Sequence, residues 1–443
     1  MRMYDLITEK KNGRELTGEE IKWFVRGVTE GEIPDAQTAA LLMAICLRGM
    51  NEREASDLTE AMLRSGEVAD LSAIPGKKAD KHSTGGVGDS TTPVVVAAVA
   101  ACGLKVAKMS GRALGHTGGT VDKFESLPGF RSDLSPREFA DVVNRVGAAV
   151  IAQTGTLCPA DKKLYALRDQ TGTVDNVALI ASSIMSKKLA SGADVIMLDV
   201  KYGSGAFIKD PEEALELARL MVRIGERAGR SVGALVTSMD APLGRAVGNL
   251  LEMYEASDIL HGNADPEKLL VCRTLAADLL FLAGMGTKEA CGERIDRAIA
   301  SGQAFEKLCE MIRAQGGDPA MLRDPGRRIY APFRREVRAP EDCPGYLVRM
   351  DTERIGICAG ILGEARKNPE DKVDHTAGLL IRKKTGDRVS PGDVLCELHT
   401  SDPSLLDEAE RLYRSALAFG GRPARRLPIL FASVGPNGSV SRF

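Results

Sequence analysis

A glycine-rich segment near the start of the chain carries the strongest chemical signal. Residues 80–92 read DKHSTGGVGDSTT and precede an apolar run that begins near Pro93. Adjacent glycines let backbone N–H groups converge on a small anion, and the positive end of a following helix adds to the attraction. Lys81 supplies a full charge, and Ser83 and Thr92 supply hydroxyl donors. The segment predicts a phosphate cradle, and the alternative is a plain Gly/Ser turn.

A second segment offers the same kinds of donor. Lys108 and Ser110 follow a predicted strand at 104–107, and Thr120 ends the run HTGGT. Two such segments after successive strands meet at one end of a parallel sheet, where the ligands of open α/β sheets bind. Neither segment carries the pair of acidic groups that magnesium-nucleotide chemistry needs. Free phosphate or a simple phosphate ester is therefore predicted rather than ATP.

Histidines are scarce, and two of the five lie inside these segments. His82, beside the first predicted cradle, is a candidate general acid or charge stabiliser. For His116, in the second segment, a turn residue bonded to the backbone is an equally good interpretation. The other three histidines have no companions that indicate metal ligation.

A third group of polar residues follows on predicted helices. Ser183 and Lys187 are four residues apart, so they lie one above the other on a helix whose apolar stripe runs beside them. Tyr165 and Arg168 come from the preceding helical segment. A hydroxyl and two cations suit a flat ring with two carbonyls and an N–H between them, such as uracil or thymine. The alternative is a solvated helix face.

The elements that must position these residues change in character along the chain. Three short amphipathic helices open it, the first capped by Thr17 and Glu20 and the next by Asp35. Later, a buried strand at 195–200, a helix capped by Asp210 and a strand at 232–237 form a βαβ unit, which implies a parallel sheet. Pro, Gly and Arg cluster in a predicted linker at 324–345.

The predicted fold class is α/β with three parts. A small all-helical domain at 1–70 is joined by the segment 160–192, and a larger α/β domain with a mainly parallel sheet spans 75–155 and 193–330. A C-terminal α+β module at 345–443 is similar to the barrel-sandwich modules of biotinyl and lipoyl carriers. Because its Gly-Asp turns lack an exposed modifiable lysine, we expect this module to support the structure or a dimer.

Composition excludes several classes of function. The 443 residues carry a net charge of -2, and 44% are hydrophobic, so neither a disordered chain nor a polybasic nucleic-acid protein is expected. No apolar run approaches the ~20 residues that a membrane span needs, and the N-terminus lacks a signal-peptide pattern. Nine scattered cysteines without a CxxC pair predict reduced thiols and no zinc site. We expect a cytoplasmic protein with no nucleic-acid or membrane partner.

Together the motifs resemble one family closely. DKHSTGGVGD, SGRALGHTGGTVDKFES, YALRDQTGTVDN and SSIMSKK are similar to the pyrimidine-nucleoside phosphorylases of the thymidine phosphorylase family, and the resemblance covers nearly the whole chain. It implies a homodimer in nucleoside salvage, without an organic cofactor, that converts a pyrimidine nucleoside and phosphate reversibly into free base and (deoxy)ribose 1-phosphate. Lys108 resembles the broad-specificity members, so uridine, thymidine and deoxyuridine are all expected substrates.

The resemblance also assigns residues to roles. Catalysis is assigned to His82, Arg168, Ser183 and Lys187. Phosphate contacts are assigned to Lys81, Ser83, Thr92, Lys108, Ser110 and Thr120. Pyrimidine contacts are assigned to Tyr165, Arg168, Ser183 and Lys187. A monovalent cation, K⁺, is assigned mostly to backbone carbonyls of Gly88, Ser90, Leu243, Ala246 and Glu255. The chain departs from the family pattern at Ser90, where Thr is usual, and at Ala113 and Phe124.

Two other functions remain open on the sequence. An anthranilate-type phosphoribosyltransferase shares the helical-plus-α/β layout and a glycine-rich anion loop, but it would need magnesium and a diphosphate sugar. A non-catalytic nucleoside-binding protein is suggested by the carrier-like C-terminal module.

Overall fold

The computed structural model describes residues 1–112, 118–366, 372–424 and 426–443, so Ala113 and His116 lie outside the described residues. A helical bundle opens the chain. Its helices are α1 (Met3–Lys11), α2 (Gly18–Glu30), α3 (Asp35–Arg48) and α4 (Glu52–Leu63). The capping box of Thr17 and Glu20 is present in full, as predicted. The predicted cap of α3 was wrong: Asp35 is its first helical residue, and Pro34 precedes it without a side-chain cap bond.

The next part of the chain starts a parallel sheet. Its elements are β1 (Lys78–Ser83), α5 (Thr91–Ala101), β2 (Lys105–Ser110), α6 (Thr120–Glu125), α7 (Pro136–Val146) and β3 (Ala148–Ala152). The chain then returns to the bundle through α8 (Pro159–Thr171) and α9 (Val177–Ala190). Leu164 of α8 and Leu179 of α9 pack in the same apolar cluster as Phe24 and Leu41. Burial of this shared apolar surface holds α8 and α9 against the bundle.

The sheet continues with a βαβ unit and is covered by helices. Its elements are β4 (Val195–Tyr202), α10 (Pro211–Arg227), β5 (Ser231–Ser238), β6 (Ala246–Val247), α11 (Asn249–Leu260), α12 (Pro266–Leu282), α13 (Lys288–Ala300), α14 (Gln303–Ala314) and α15 (Ala320–Arg323). All of β4 is buried, and Asp210 caps α10 through its side chain, as predicted. Strands β5, β4, β1, β2 and β3 are parallel neighbours in that order, so their carboxyl ends share one edge.

The rest of the chain forms a smaller antiparallel unit and then rejoins the large sheet. Its elements are β7 (Phe333–Arg338), β8 (Tyr346–Met350), α16 (Thr352–Leu362), β9 (Gly378–Ile381), β10 (Val394–Thr400), α17 (Leu406–Ser415), β11 (Leu417–Gly420), β12 (Leu430–Val434) and β13 (Val440–Arg442). Strands β6, β9, β10 and β7 form one sheet, and β11 pairs with β8.

Two features of this region differ from the sequence interpretation. The segment interpreted as a linker contains β7, which pairs with β10. The last strands, β12 and β13, extend the large sheet beside β5, although the sequence assigned them to the C-terminal module. Among the described residues, no helix has both the length and the apolar character needed to cross a membrane.

Candidate active site

A cleft of about 560 Å³ lies at the carboxyl edge of the large sheet, facing α8 and α9. This volume is within the usual range for a small-molecule site. Ten of the predicted phosphate-binding, base-binding and catalytic residues line it. They are His82, Ser83, Thr92, Lys108, Ser110, Thr120, Tyr165, Arg168, Ser183 and Lys187. The cleft thus brings the two predicted loops and the two predicted helices together.

Several of these residues lie on strands, where the sequence interpretation placed them in loops. Strand β1 pairs with β4 as far as Ser83 opposite Asp199, so Lys81 and His82 belong to the strand. Likewise β2 includes Lys108 and Ser110. Charged residues inside a strand resemble a loop in sequence, but here acidic residues nearby compensate them. Lys81, the one predicted phosphate residue not lining the cleft, is buried beneath it.

Asp89 organises the glycine loop. Its Oδ2 accepts from Ser83 Oγ at 2.5 Å, and its Oδ1 accepts from Thr91 Oγ1 at 2.8 Å. Lys81 Nζ in turn donates to Thr91 Oγ1 at 2.6 Å. Burial would raise the pKa of Asp89, but the charges of Lys201 and Lys81 outweigh it and hold that pKa well below its usual value. An ionised Asp89 therefore accepts the hydrogen bond of the Ser83 hydroxyl, and an anion bound beside it would compete for that hydroxyl.

A second buried carboxylate, Asp80, joins β1 to β2 and α9. Its Oδ1 lies 3.3 Å from Lys108 Nζ, and its Oδ2 lies 2.8 Å from Lys188 Nζ. Burial lowers the pKa of Lys108 to about 8, with Lys188 and Lys81 adding to the effect and Asp80 opposing it. In this network four lysines face three carboxylates. The lysines are Lys81, Lys108, Lys188 and Lys201, and the carboxylates are Asp80, Asp89 and Asp199. The excess positive charge suits an anion.

His82, near the end of β1, lines the cleft and is half-buried. Burial lowers its pKa well below the usual value, and the charges of Lys188 and Lys108 lower it further. Its imidazole is therefore neutral near pH 7. A neutral imidazole offers one N–H to a ligand rather than a proton from an imidazolium.

Arg168 on α8 is held by the backbone. It is 2% exposed, and its guanidinium donates to Thr173 O at 3.1 Å, Val174 O at 2.7 Å and Leu179 O at 3.2 Å. The ring of Tyr165 lies 5.7 Å from its Cζ. These bonds use three of five N–H groups, so within the described chain one N–H remains on each Nη.

Lys187 on α9 has both a hydroxyl and a carboxylate partner. Its Nζ donates to Ser183 Oγ at 3.1 Å and to Asp161 Oδ2 at 2.5 Å. Sequence reasoning missed Asp161. Its spacing to Tyr165 and Arg168, four and then three residues along α8, is typical of one helix face and could have revealed it. Asp89 was noticed only as part of the glycine motif, and nothing in the sequence indicated buried Lys188.

The residues that the resemblance assigns to K⁺ also come together. Gly88 passes close to the carbonyls of Leu243 and Ala246. However, Lys268 Nζ lies among them and donates to Gly88 O, Ser90 Oγ and Glu255 Oε2. Among the described residues, no three His, Cys, Asp or Glu side chains are grouped to hold a metal ion.

Comparisons with known proteins cover nearly the whole chain. Three family models match: "Glycosyl transferase family, helical bundle domain" at 4–66, "Glycosyl transferase family, a/b domain" at 75–305, and "Pyrimidine nucleoside phosphorylase C-terminal domain" at 346–420. The pyrimidine-nucleoside phosphorylase of Bacillus subtilis (strain 168) is 48% identical over 93% of this chain and 95% of that protein. The enzyme of the same name from Geobacillus stearothermophilus is 47% identical over 94% of this chain and 96% of that protein.

A solved structure shows the same fold at low identity. The anthranilate phosphoribosyltransferase of Thermus thermophilus superposes with a TM-score of 0.57 and 19% identity. It covers 70% of this chain, and 99% of that protein is matched. At this identity the likeness establishes the fold alone.

Proposed function

Because this chain belongs to the pyrimidine-nucleoside phosphorylase family, we propose that the cleft is where phosphate displaces the base of a pyrimidine nucleoside. The overall reaction is reversible phosphorolysis to free pyrimidine and pentose 1-phosphate. The single observation that carries the location is the meeting, in one cleft, of a cation-rich sheet edge with Arg168, Ser183 and Lys187. We assign uridine, deoxyuridine and thymidine as the substrates, in nucleoside salvage.

Phosphate binds at the sheet edge in this proposal. Ser83, Ser110, Thr92 and Thr120 offer hydroxyls there, and Lys108 lies at the same edge. The start of α5 adds the positive end of a helix. Lys81, buried below, acts through Thr91 and Asp89 rather than by direct contact.

The base binds on the helical side. The free N–H groups of Arg168 and the hydroxyl and ammonium of Ser183 and Lys187 match the carbonyls and N–H of a pyrimidine ring. The C1′–N1 bond breaks with its electron pair moving to the base, while a phosphate oxygen bonds to C1′ from the opposite face. Arg168 and Lys187 stabilise the departing base anion, and His82 donates its one N–H to the base carbonyl at O2.

A homodimer and a cytoplasmic location complete the proposal. Tyr4 on α1 and Leu47 on α3 are 71% and 76% exposed, and these helices pack side by side, so the bundle presents an apolar surface to a second copy. Light scattering should give a molar mass twice that of the chain, and Leu47→Glu should lower it toward the mass of a single chain.

The cysteines bear on the location. All nine are free, which suits a reducing compartment.

One assay tests the proposed function against its rivals. Uridine with phosphate should release uracil and ribose 1-phosphate, and the release should stop without phosphate and persist when EDTA removes magnesium. A phosphoribosyltransferase would need magnesium and a diphosphate sugar, and a binding protein would release no base. A rate of base release that is the same with and without phosphate would refute the proposal.

A further inference from the structure

The side chain of Lys268, near the start of α12, extends into the protein interior. It lies in the first turn of α12, where Asp265 caps its backbone N–H at 3.3 Å. Its side chain is fully buried, and its Nζ donates to Gly88 O at 2.9 Å, Ser90 Oγ at 2.6 Å and Glu255 Oε2 at 2.5 Å. An ammonium has three N–H groups, so all three are used.

The backbone around Lys268 admits its side chain only because of glycines. A Cβ on Gly244, whose φ is +85°, would lie 2.7 Å from Lys268 Cδ and 2.5 Å from Glu255 Oε1. A Cβ on Gly88, whose φ is +67°, would lie 2.8 Å from Ala246 O and 2.9 Å from Leu243 O. The chain therefore packs carbonyls and a carboxylate tightly around a position held by the ammonium.

The charge at this position is maintained. The ammonium is paired within the fold, because the carboxylate of Glu255 lies against it and both side chains are largely shielded from solvent. The ammonium of Lys268 is thus a buried monovalent cation surrounded by oxygen atoms. A bound K⁺ would place the same charge in the same kind of environment. An ammonium group and K⁺ have the same charge and similar size, so both cannot occupy this space. The residues present therefore do not fit an added cation.

We propose that the ε-ammonium of Lys268 takes the place of a bound monovalent cation and positions the glycine loop of the phosphate site from within the chain. Gly88 and Ser90 flank Asp89, which holds the hydroxyls of Ser83 and Thr91. Lys268 is thus a positioning residue for phosphate, an inference that rests on the proposed function. This enzyme works without K⁺.

The first test uses the wild-type enzyme stripped of alkali metal ions. At constant ionic strength, kept with tetramethylammonium chloride, added KCl should leave kcat and the KM for phosphate unchanged within about twofold. Saturable activation by K⁺ would overturn the proposal. No variant is needed for this arm, so a folding defect cannot obscure it.

The second test removes the built-in charge. Lys268→Ala should raise the KM for phosphate by about tenfold or more with a smaller change in kcat, and K⁺ or methylammonium should restore it saturably. Lys268→Met keeps the side-chain bulk and loses the charge. Its KM for phosphate should rise in the same way, and neither K⁺ nor methylammonium should restore it. Lys288→Ala, on the exposed face of α13, is the control and should respond to neither cation.

A third readout does not depend on activity. The melting temperature of Lys268→Ala should rise with K⁺, and thallium NMR should detect Tl⁺ bound to the variant but not to the wild type. Tl⁺ bound to the wild type, or a variant with no cation response in any assay, would refute the role of Lys268. A wild type inactive toward every pyrimidine nucleoside would instead refute the proposed function, and the melting and NMR arms would still report on Lys268.

Discussion

The two sides of the cleft hold their positive charges in different ways. On the sheet side, lysines from β1, β2 and α9 share buried carboxylates, so Asp80 contacts both Lys108 and Lys188. On the helical side, Arg168 is anchored by three backbone carbonyls, and Lys187 has one carboxylate, Asp161. Changes on the sheet side should therefore spread through the network, whereas changes on the helical side should affect chemistry more locally.

The largest expected effect comes from breaking the sheet-side network at its centre. Asp80→Asn leaves Lys108 and Lys188 buried without a compensating charge, which should cost about 3–5 kcal/mol of unfolding free energy. Urea denaturation measures this cost. Asp194→Asn, at the residue that directly precedes β4, is the matched control. The ion pair of Asp194 with Lys78 is partly exposed, so it should contribute about 1 kcal/mol at most to the unfolding free energy. Equal losses for the two variants would contradict the comparison.

On the helical side, the expected loss is in rate. Lys187→Ala removes a cation that acts as charge develops on the leaving base, so kcat should fall by roughly 10²–10³-fold while circular dichroism stays native. Arg168→Ala should lose as much in kcat and also some stability, because three buried carbonyls lose their donor. Lys162→Ala, exposed on the same helix as Arg168, should keep wild-type kinetics. A fall of less than tenfold for Lys187→Ala would count against the assigned role.

One buried carboxyl, that of Glu364, should make stability depend on pH. Burial, with Glu252 adding and Lys123 opposing, raises the pKa of Glu364 to about 7. The folded state then binds a proton that the unfolded state has released, so stability should fall as pH rises from about 4.5 to about 7 and level off above that. Glu364→Gln should remove this fall and be more stable than wild type at pH 8, by up to about 3 kcal/mol.

Chemical denaturation at pH 5 and pH 8 measures the Glu364 effect. Glu341→Gln, which removes an exposed carboxyl of the C-terminal region, should leave the wild-type pH dependence unchanged. If both variants keep the same pH dependence as wild type, Glu364 is ionised in the fold.

The smallest effect concerns Lys108 alone. Because its pKa is about 8, its charge disappears as pH rises through 8, and kcat/KM for phosphate should fall by up to about tenfold per pH unit above that value. Lys108→Met should have a lower kcat/KM that no longer changes across this range. Steady-state kinetics with phosphate varied at each pH decide between the two profiles, and an unchanged slope in Lys108→Met would assign the titration elsewhere.

Local sequence signals predicted much of the fold and the helical side of the site. The capping box at Thr17 and the four-residue spacing of Ser183 and Lys187 depend on neighbours within one or two turns. The strand position of His82 was not predictable, because its burial depends on β4, more than a hundred residues later in the chain.

Long-range charge pairing was also beyond the sequence. Asp80 and Lys188 are 108 residues apart, and Lys268 reaches Gly88 across 180 residues. Each lysine, taken in its own segment, resembles an ordinary surface residue at a helix end. Only the packed structure brings these charges together, which is why the family resemblance could imply a cation site but could not reveal that Lys268 contacts the residues assigned to it.

The antiparallel partner of β5 comes from the end of the chain. Almost two hundred residues of the chain separate strand β12 from β5. At typical rates of translation, roughly 10–40 seconds pass between the synthesis of the two strands. During that time the growing chain exposes an unpaired strand edge, which is open to pairing with another nascent polypeptide. Pairing of β12 with β5 therefore closes that edge only late in synthesis.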